Sequence, residues 1–165
     1  MKNKLPYEST GNAIKGYNES KTAKGETNDC VVRAFASAFE VSYDYAHKYV
    51  ADKFGRKPRK GTYGTVSTLV KMADDRTTVN YKKVRPVGVR KSPTLINSLS
   101  YNVTIKGEKK LRQMTVGTFI KQNPKGTFFV LVRQHAFTIK DGVVIGNFED
   151  SIKTKRPMRC AFEIK

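Results

Sequence analysis

The chain has two cysteines and two histidines, and one of each stands where nucleophile-and-base chemistry can be built. Cys30 follows Asp29, a favourable helix N-cap, and opens the run Cys30-Val-Val-Arg-Ala-Phe-Ala-Ser-Ala-Phe39. Its thiol therefore falls in the first turn of a predicted helix, where unpaired backbone N–H groups and the helix dipole favour a thiolate. The same position suits a small, inert, buried cysteine. Asp29 opposes the thiolate unless a cation stands nearby. His135 begins a predicted strand whose partner returns through Asp141-Gly142, a two-residue hairpin turn. From there it can face Cys30 as a general base, its second ring nitrogen held by a side chain of the returning segment. Asn147 is the first choice for that orienting residue and Asp150 the second, while the turn already accounts for Asp141. A lone strand histidine is usually a packing residue, so the pair carries the reading and neither member does alone.

The elements that must position this pair are legible at the two ends of the chain. Residues 1–27 are rich in Gly, Asn, Ser, Thr and Lys and read as an extended, loosely packed arm ahead of one domain, 28–165. Arg33 is the only charge in 30–39, which places that helix inside the protein. Ser42 caps a second helix over 43–54, with Tyr43, Ala46, Val50 and Phe54 at helical spacing and Gly55 as its stop. A short third helix is predicted over 65–73. Between 79 and 105 the pattern gives only short strands, at 79–84, 87–89 and 101–105. Thr115 then caps a helix over 116–122, and Asn123-Pro-Lys-Gly126 ends it before the strongest strand signal, Thr127-Phe-Phe-Val-Leu-Val-Arg133. Strands at 135–140, 143–147 and 158–164 follow. Helices first and an antiparallel sheet after them make an α+β class.

Composition narrows the partners. The 165 residues carry a formal charge of +18, and 38% are hydrophobic, enough for a packed core. The longest apolar run, 128–132, is far too short to span a bilayer, so no membrane role is expected. Leu5-Pro-Tyr-Glu8 interrupts the N-terminus where a secretory signal needs an apolar stretch, which points to the cytoplasm, or to a host cytoplasm or virion for a phage protein. No Cys/His cluster has metal-ligand spacing, so neither a metal nor another cofactor is expected. Cys160 reads as structural, and His47, off the apolar stripe of its helix, as solvent-facing. The cations cluster: Arg56, Lys57, Arg59 and Lys60 form one run, and Lys82, Lys83, Lys109, Lys110 and Arg112 belong to a longer stretch. Such clusters attract polyanions, either nucleic acid or an acidic protein. Tyr81 and Tyr101 can stack on bases or pack on a sheet. No zinc-finger, RRM or KH signature accompanies them. Gly61-Thr-Tyr-Gly64 has the wrong spacing for a phosphate loop, and no carboxylate pair of glycosidase type stands out.

Thr27-Asn-Asp-Cys30-Val-Val-Arg-Ala at the head of a buried helix, and the later run Asn123-Pro-Lys-Gly-Thr-Phe-Phe-Val-Leu-Val-Arg-Gln-His135-Ala-Phe-Thr-Ile-Lys-Asp-Gly142, together resemble the papain-like cysteine peptidases. The likeness is greatest to the small versions found in phage and bacterial genomes, and it covers roughly residues 27–150. It implies a papain-like α+β fold in which Cys30, His135 and Asn147, or Asp150 in its place, take the nucleophile, base and orienting positions. The implied function is a thiol hydrolase, a cysteine peptidase or isopeptidase aimed at a host or virion protein. The family usually carries a Gln shortly before the cysteine to build the oxyanion hole, and residues 24–29 contain none. Asn28 or Thr27 would have to substitute beside the Cys30 N–H. Val31-Val32 is also bulkier than the usual small residue and aromatic. The alternative function is an inactive papain-like scaffold that binds nucleic acid or protein through its basic surface. A peptidoglycan hydrolase of the related NlpC/P60 type shares the Cys/His order, without the signal peptide or wall-binding repeat that would support it.

Overall fold

The computed structural model describes residues 4–74, 77–79, 82–84, 91–96 and 99–165. In chain order the elements are β1 (Tyr7–Ser9), α1 (Thr10–Ala13), α2 (Lys21–Gly25), α3 (Cys30–Phe39), α4 (Tyr43–Phe54), α5 (Thr65–Asp74), β2 (Thr77–Val79), β3 (Lys82–Val84), β4 (Pro93–Leu95), β5 (Ser100–Ile105), β6 (Glu108–Gln113), α6 (Val116–Gln122), β7 (Thr127–Val132), β8 (His135–Lys140), β9 (Val143–Gly146), α7 (Phe148–Ile152) and β10 (Met158–Ile164). Six strands form the main sheet in the order β1-β9-β8-β7-β10-β4, antiparallel except where β1 runs parallel to β9. The class is therefore α+β with a mostly antiparallel sheet. No helix among the described residues is long and apolar enough to cross a membrane.

Alternation along β7 and β8 divides the apolar side chains between two cores. Phe129 and Ala136 pack with Val32, Phe35, Phe39, Tyr43 and Val50 of α3 and α4. Phe128, Val130, Val132, Phe137 and Ile139 pack with Val116, Phe119 and Ile120 of α6. With helices on both faces the sheet is buried, and a side chain such as Phe35, fully excluded from water, contributes about 2–3 kcal/mol of transfer free energy. A buried hydroxyl network fixes α3 against β8. Ser37 Oγ and Thr138 Oγ1 lie 2.7 Å apart, and Thr138 also donates to the Ala34 carbonyl at 2.9 Å. This contact sets which part of α3 faces the start of β8.

Local signals explain most boundaries. Ser42 and Thr115 cap their helices through side-chain oxygens, and Gly55 ends α4 in the left-handed region. Asp141 and Gly142, both at positive φ, join β8 to β9. Three expectations need correction. The loose arm at 1–27 is instead structured over its described part: β1 joins the sheet, and Ser9 and Ser20 cap α1 and α2. Its polar residues serve caps and a sheet edge, which composition alone does not distinguish from a loop. Asp29 occupies the cap position of α3 but makes no side-chain cap bond. His47 is not simply solvent-facing, since its Nε2 lies 2.8 Å from Glu26 Oε1. The predicted strand at 87–89 and Tyr81 lie outside the described residues, as do the side chains of Lys82, Lys83 and Tyr101.

Candidate active site

Cys30 is the first residue of α3 and His135 the first of β8. A two-residue turn, Arg133-Gln134 with Gln134 at φ 57°, ends β7 and starts β8 at the rim of the sheet. Because α3 is docked along β8, this rim meets the N-terminal turn of the helix. The Cys30 thiol there lies within electrostatic reach of His135 and of the Ala136 backbone N–H, both of which favour its thiolate.

The histidine is oriented from its other side. His135 Nε2 lies 2.9 Å from Asp150 Oδ2, and the Asp150 side chain is only 2% exposed. The same oxygen accepts the Asn147 backbone N–H at 2.8 Å, and Oδ1 accepts Arg156 Nη1 at 3.1 Å. Burial pushes the Asp150 carboxyl up, but the His135 bond, the His135 charge, the Asn147 N–H and Arg156 outweigh it and hold the group below its ordinary range. Asp150 is then an ionised acceptor, so Nε2 carries a proton and Nδ1 is left for the thiol. Gly146 makes room for this carboxylate, since a Cβ there would stand 2.7 Å from Asp150 Oδ2 and 2.9 Å from the Phe137 Cβ.

Electrostatics follow the geometry. Burial disfavours the imidazolium of His135, while hydrogen bonds and charge from Asp150 and Cys30 favour it, and the balance raises its pKa to about 9. For Cys30, burial raises the pKa, and His135, the Ala136 N–H and Arg33 together bring it below the ordinary thiol value. The arrangement favours a thiolate–imidazolium pair.

The side chain that meets His135 is that of Asp150 and not that of Asn147. Asn147 turns its side-chain oxygen to Arg33 Nη1 at 2.8 Å, and only its backbone N–H reaches the carboxylate. The position just before α7 aims Asp150, three residues on, back over the end of β9. Asn28, expected as an oxyanion donor, has its amide committed to the Arg59 carbonyl at 3.3 Å. The remaining donors are the backbone N–H groups of the first turn of α3, which helix geometry leaves without intrahelical acceptors. Asp29 does not cap them because its carboxylate goes to Arg33 Nε at 3.1 Å and to Tyr43 Oη at 2.8 Å.

Arg33, Arg156 and Gly146 were missed by the sequence reading. The lone charge in an otherwise apolar helix was the available signal for Arg33, and Arg156 stood out only as one of a cluster of cations with Lys153, Lys155 and Arg159. Arg33 also supplies the cation that compensates Asp29 beside the thiol. Of the basic clusters, Lys57, Arg59, Lys60, Lys109, Lys110 and Arg112 are exposed. Arg56 is not part of that surface. Its side chain is 1% exposed and bonded to Glu26 at 2.7 Å. Cys160 is buried in β10. Among the described residues no group of three or more His, Cys, Asp or Glu is arranged to hold a metal ion. A cavity of about 270 Å³ opens at the far end of α3, lined by Ser37, Glu40, Val41 and Lys140, and contains none of these site residues.

No family model matches this chain, and no curated protein or solved structure does either.

Proposed function

We propose that the protein is a thiol hydrolase of papain-like type, a cysteine peptidase or isopeptidase, with Cys30 as nucleophile, His135 as general base and acid, and Asp150 orienting His135. One observation carries the reading: Cys30 and His135 stand close enough that each favours the other's charged form, and Nε2 of that histidine lies 2.9 Å from a buried carboxylate. Structural cysteines and packing histidines have no need of that chain of three. The order of elements and the resemblance of the 27–30 and 123–142 segments support the family assignment.

In the reaction, His135 Nδ1 takes the Cys30 proton and Sγ attacks the carbonyl carbon of an amide or thioester. The oxyanion lies against the first-turn N–H groups of α3. The imidazolium then protonates the departing amine or thiol, leaving an acyl thioester on Cys30. Water, deprotonated by His135, attacks this thioester, releases the carboxylic acid and restores the thiol. Asp150 stabilises the imidazolium at both stages without taking up the proton.

The test is acylation by p-nitrophenyl acetate near neutral pH, followed by mass spectrometry. One acetyl group should appear on Cys30, be absent in Cys30→Ala, and be strongly reduced in His135→Ala. Acetylation at lysines only, with Cys30 untouched, contradicts the proposal.

A second reading has its own observation. All six residues of β6 are exposed, among them Lys109, Lys110 and Arg112, and β6 pairs only with β5 among the described residues. Such a ribbon can hold a polyanion by counterion release, and that binding would weaken steeply with salt and ignore Cys30 and His135.

A further inference from the structure

The segment leading into Cys30 is tied to the basic loop after α4 by a buried ionic cluster. Glu26 Oε2 accepts Arg56 Nη2 at 2.7 Å and the Arg59 backbone N–H at 3.0 Å, and Glu26 Oε1 meets His47 Nε2 at 2.8 Å. Arg56 also donates to the Thr27 carbonyl at 3.1 Å. The side chains of Glu26 and Arg56 are 6% and 1% exposed. Desolvating such ions is costly, and apolar packing of similar volume would stabilise the fold as well or better. The cluster's hydrogen bonds to backbone groups, which apolar side chains cannot make, tie the loop at Arg59 to the segment at Thr27.

That backbone is held in a costly shape. Arg59 has φ 57° and Asn28 φ 54°, both left-handed, a region unfavourable for an arginine. The Arg59 carbonyl accepts Asn28 Nδ2 at 3.3 Å and Thr27 Oγ1 at 3.4 Å. The Arg59 backbone is thereby anchored beside a residue only two positions before Cys30, and Lys57, Arg59 and Lys60 are exposed there. Among the described residues no carboxylate lies within ion-pair distance of any of the three. Asp29 and Asp150, the acids of the site itself, are each engaged by an arginine. The positive charge at this lip therefore faces outward uncompensated.

We propose that Lys57, Arg59 and Lys60 form a specificity lip that binds carboxylate side chains flanking the acyl group presented to Cys30, so that the substrate is an acidic peptide segment. The inference rests on the thiol-hydrolase reading. A peptide is the fitting anion here because the adjoining site attacks amide and thioester carbonyls, which a nucleic-acid backbone does not offer.

The test uses a double-headed epoxysuccinyl peptide with glutamates on both arms and its glutamine counterpart, with labelling read at Cys30 by peptide mapping. Exposed ion pairs each favour association by up to about fivefold, so the acidic label should react about tenfold faster at low ionic strength. The advantage should fade toward one near ~1 M salt, where the screening length is about 3 Å. It should also disappear in Lys57→Gln/Arg59→Asn/Lys60→Gln, in which Asn keeps the left-handed position. Equal rates for the two labels in the wild type, or an advantage that survives the triple substitution, overturn the lip. A short oligonucleotide that protects Cys30, with no preference between the two peptides, assigns the loop to nucleic acid and also overturns it. Ordinary, unactivated iodoacetamide labelling of Cys30 is a different failure, because it removes the hydrolase reading on which the lip depends.

Discussion

Asp150→Asn isolates the charge that orients His135 while preserving the shape of the side chain. The rise of the His135 pKa from an ordinary 6.5 to about 9 corresponds to about 3 kcal/mol in favour of the imidazolium. Burial opposes that rise, and Asp150 and Cys30 produce it, with the Asp150 hydrogen bond the larger favourable contribution. Assigning about 2 kcal/mol of it to the carboxylate, its loss lowers the imidazolium-to-imidazole ratio at a given pH by about thirtyfold. The assay is an NMR titration of the His135 ring. The chain has two histidines, so His135→Ala identifies the resonance. The titration midpoint should fall by about one to two pH units in Asp150→Asn. Loss of the Arg156 and Asn147 partners also costs about 1–3 kcal/mol of stability, less than a typical domain possesses, so the variant remains folded for the measurement. A folded Asp150→Asn whose His135 still titrates near 9 would refute the assignment of Asp150 as the orienting group.

Two further outcomes follow from neighbouring contacts. Gly146→Ala places a methyl group 2.7 Å from Asp150 Oδ2, so it should displace the carboxylate, cost about 1–3 kcal/mol by overpacking and slow Cys30 acetylation at neutral pH; unchanged acetylation would show that the carboxylate position is unimportant. Glu26, beside Arg56, His47 and the Arg59 N–H, has its carboxyl held down to about 2 against the pull of burial. Because that pKa is depressed, the stability it supplies is complete above pH ~4.5 and is lost as pH falls toward about 2. Denaturant melts of Glu26→Gln should show a loss of about 3 kcal/mol at neutral pH, as for a broken buried pair, and a flatter acid limb than the wild type. Parallel acid limbs would contradict the linkage.

The parts of the site that depend on local chemistry were legible in the sequence. Asp29-Cys30 marked a helix start, and the strand run at 127–133 with the Asp141-Gly142 turn marked the hairpin that carries His135. What the sequence could not show is which returning side chain reaches the imidazole. Asn147 and Asp150 both follow β9, and the choice depends on the turn into α7, which points the Asn147 side chain toward Arg33 and Asp150 toward His135. Arg56 looked like part of a basic surface because its neighbours are cations, yet its partner Glu26 lies thirty residues earlier in the chain. The order within 4–27 was missed for a related reason. A three-residue edge strand and two short capped helices use the same Ser, Asn and Gly residues as a loop, and only the pairing of the strand with β9 and the Ser9 and Ser20 caps of the helices distinguish them.

The central claim is that His135 makes Cys30 a thiolate, and the pH dependence of Cys30 alkylation by iodoacetamide tests it most directly, with peptide mapping to separate Cys30 from the buried Cys160. Labelling in the wild type should begin well below the ordinary thiol pKa of about 8.5. In His135→Ala the midpoint should rise to or above that value, because burial then acts on the thiol without its main counterweight. A wild-type profile with an ordinary thiol midpoint, indifferent to His135→Ala, would contradict the account.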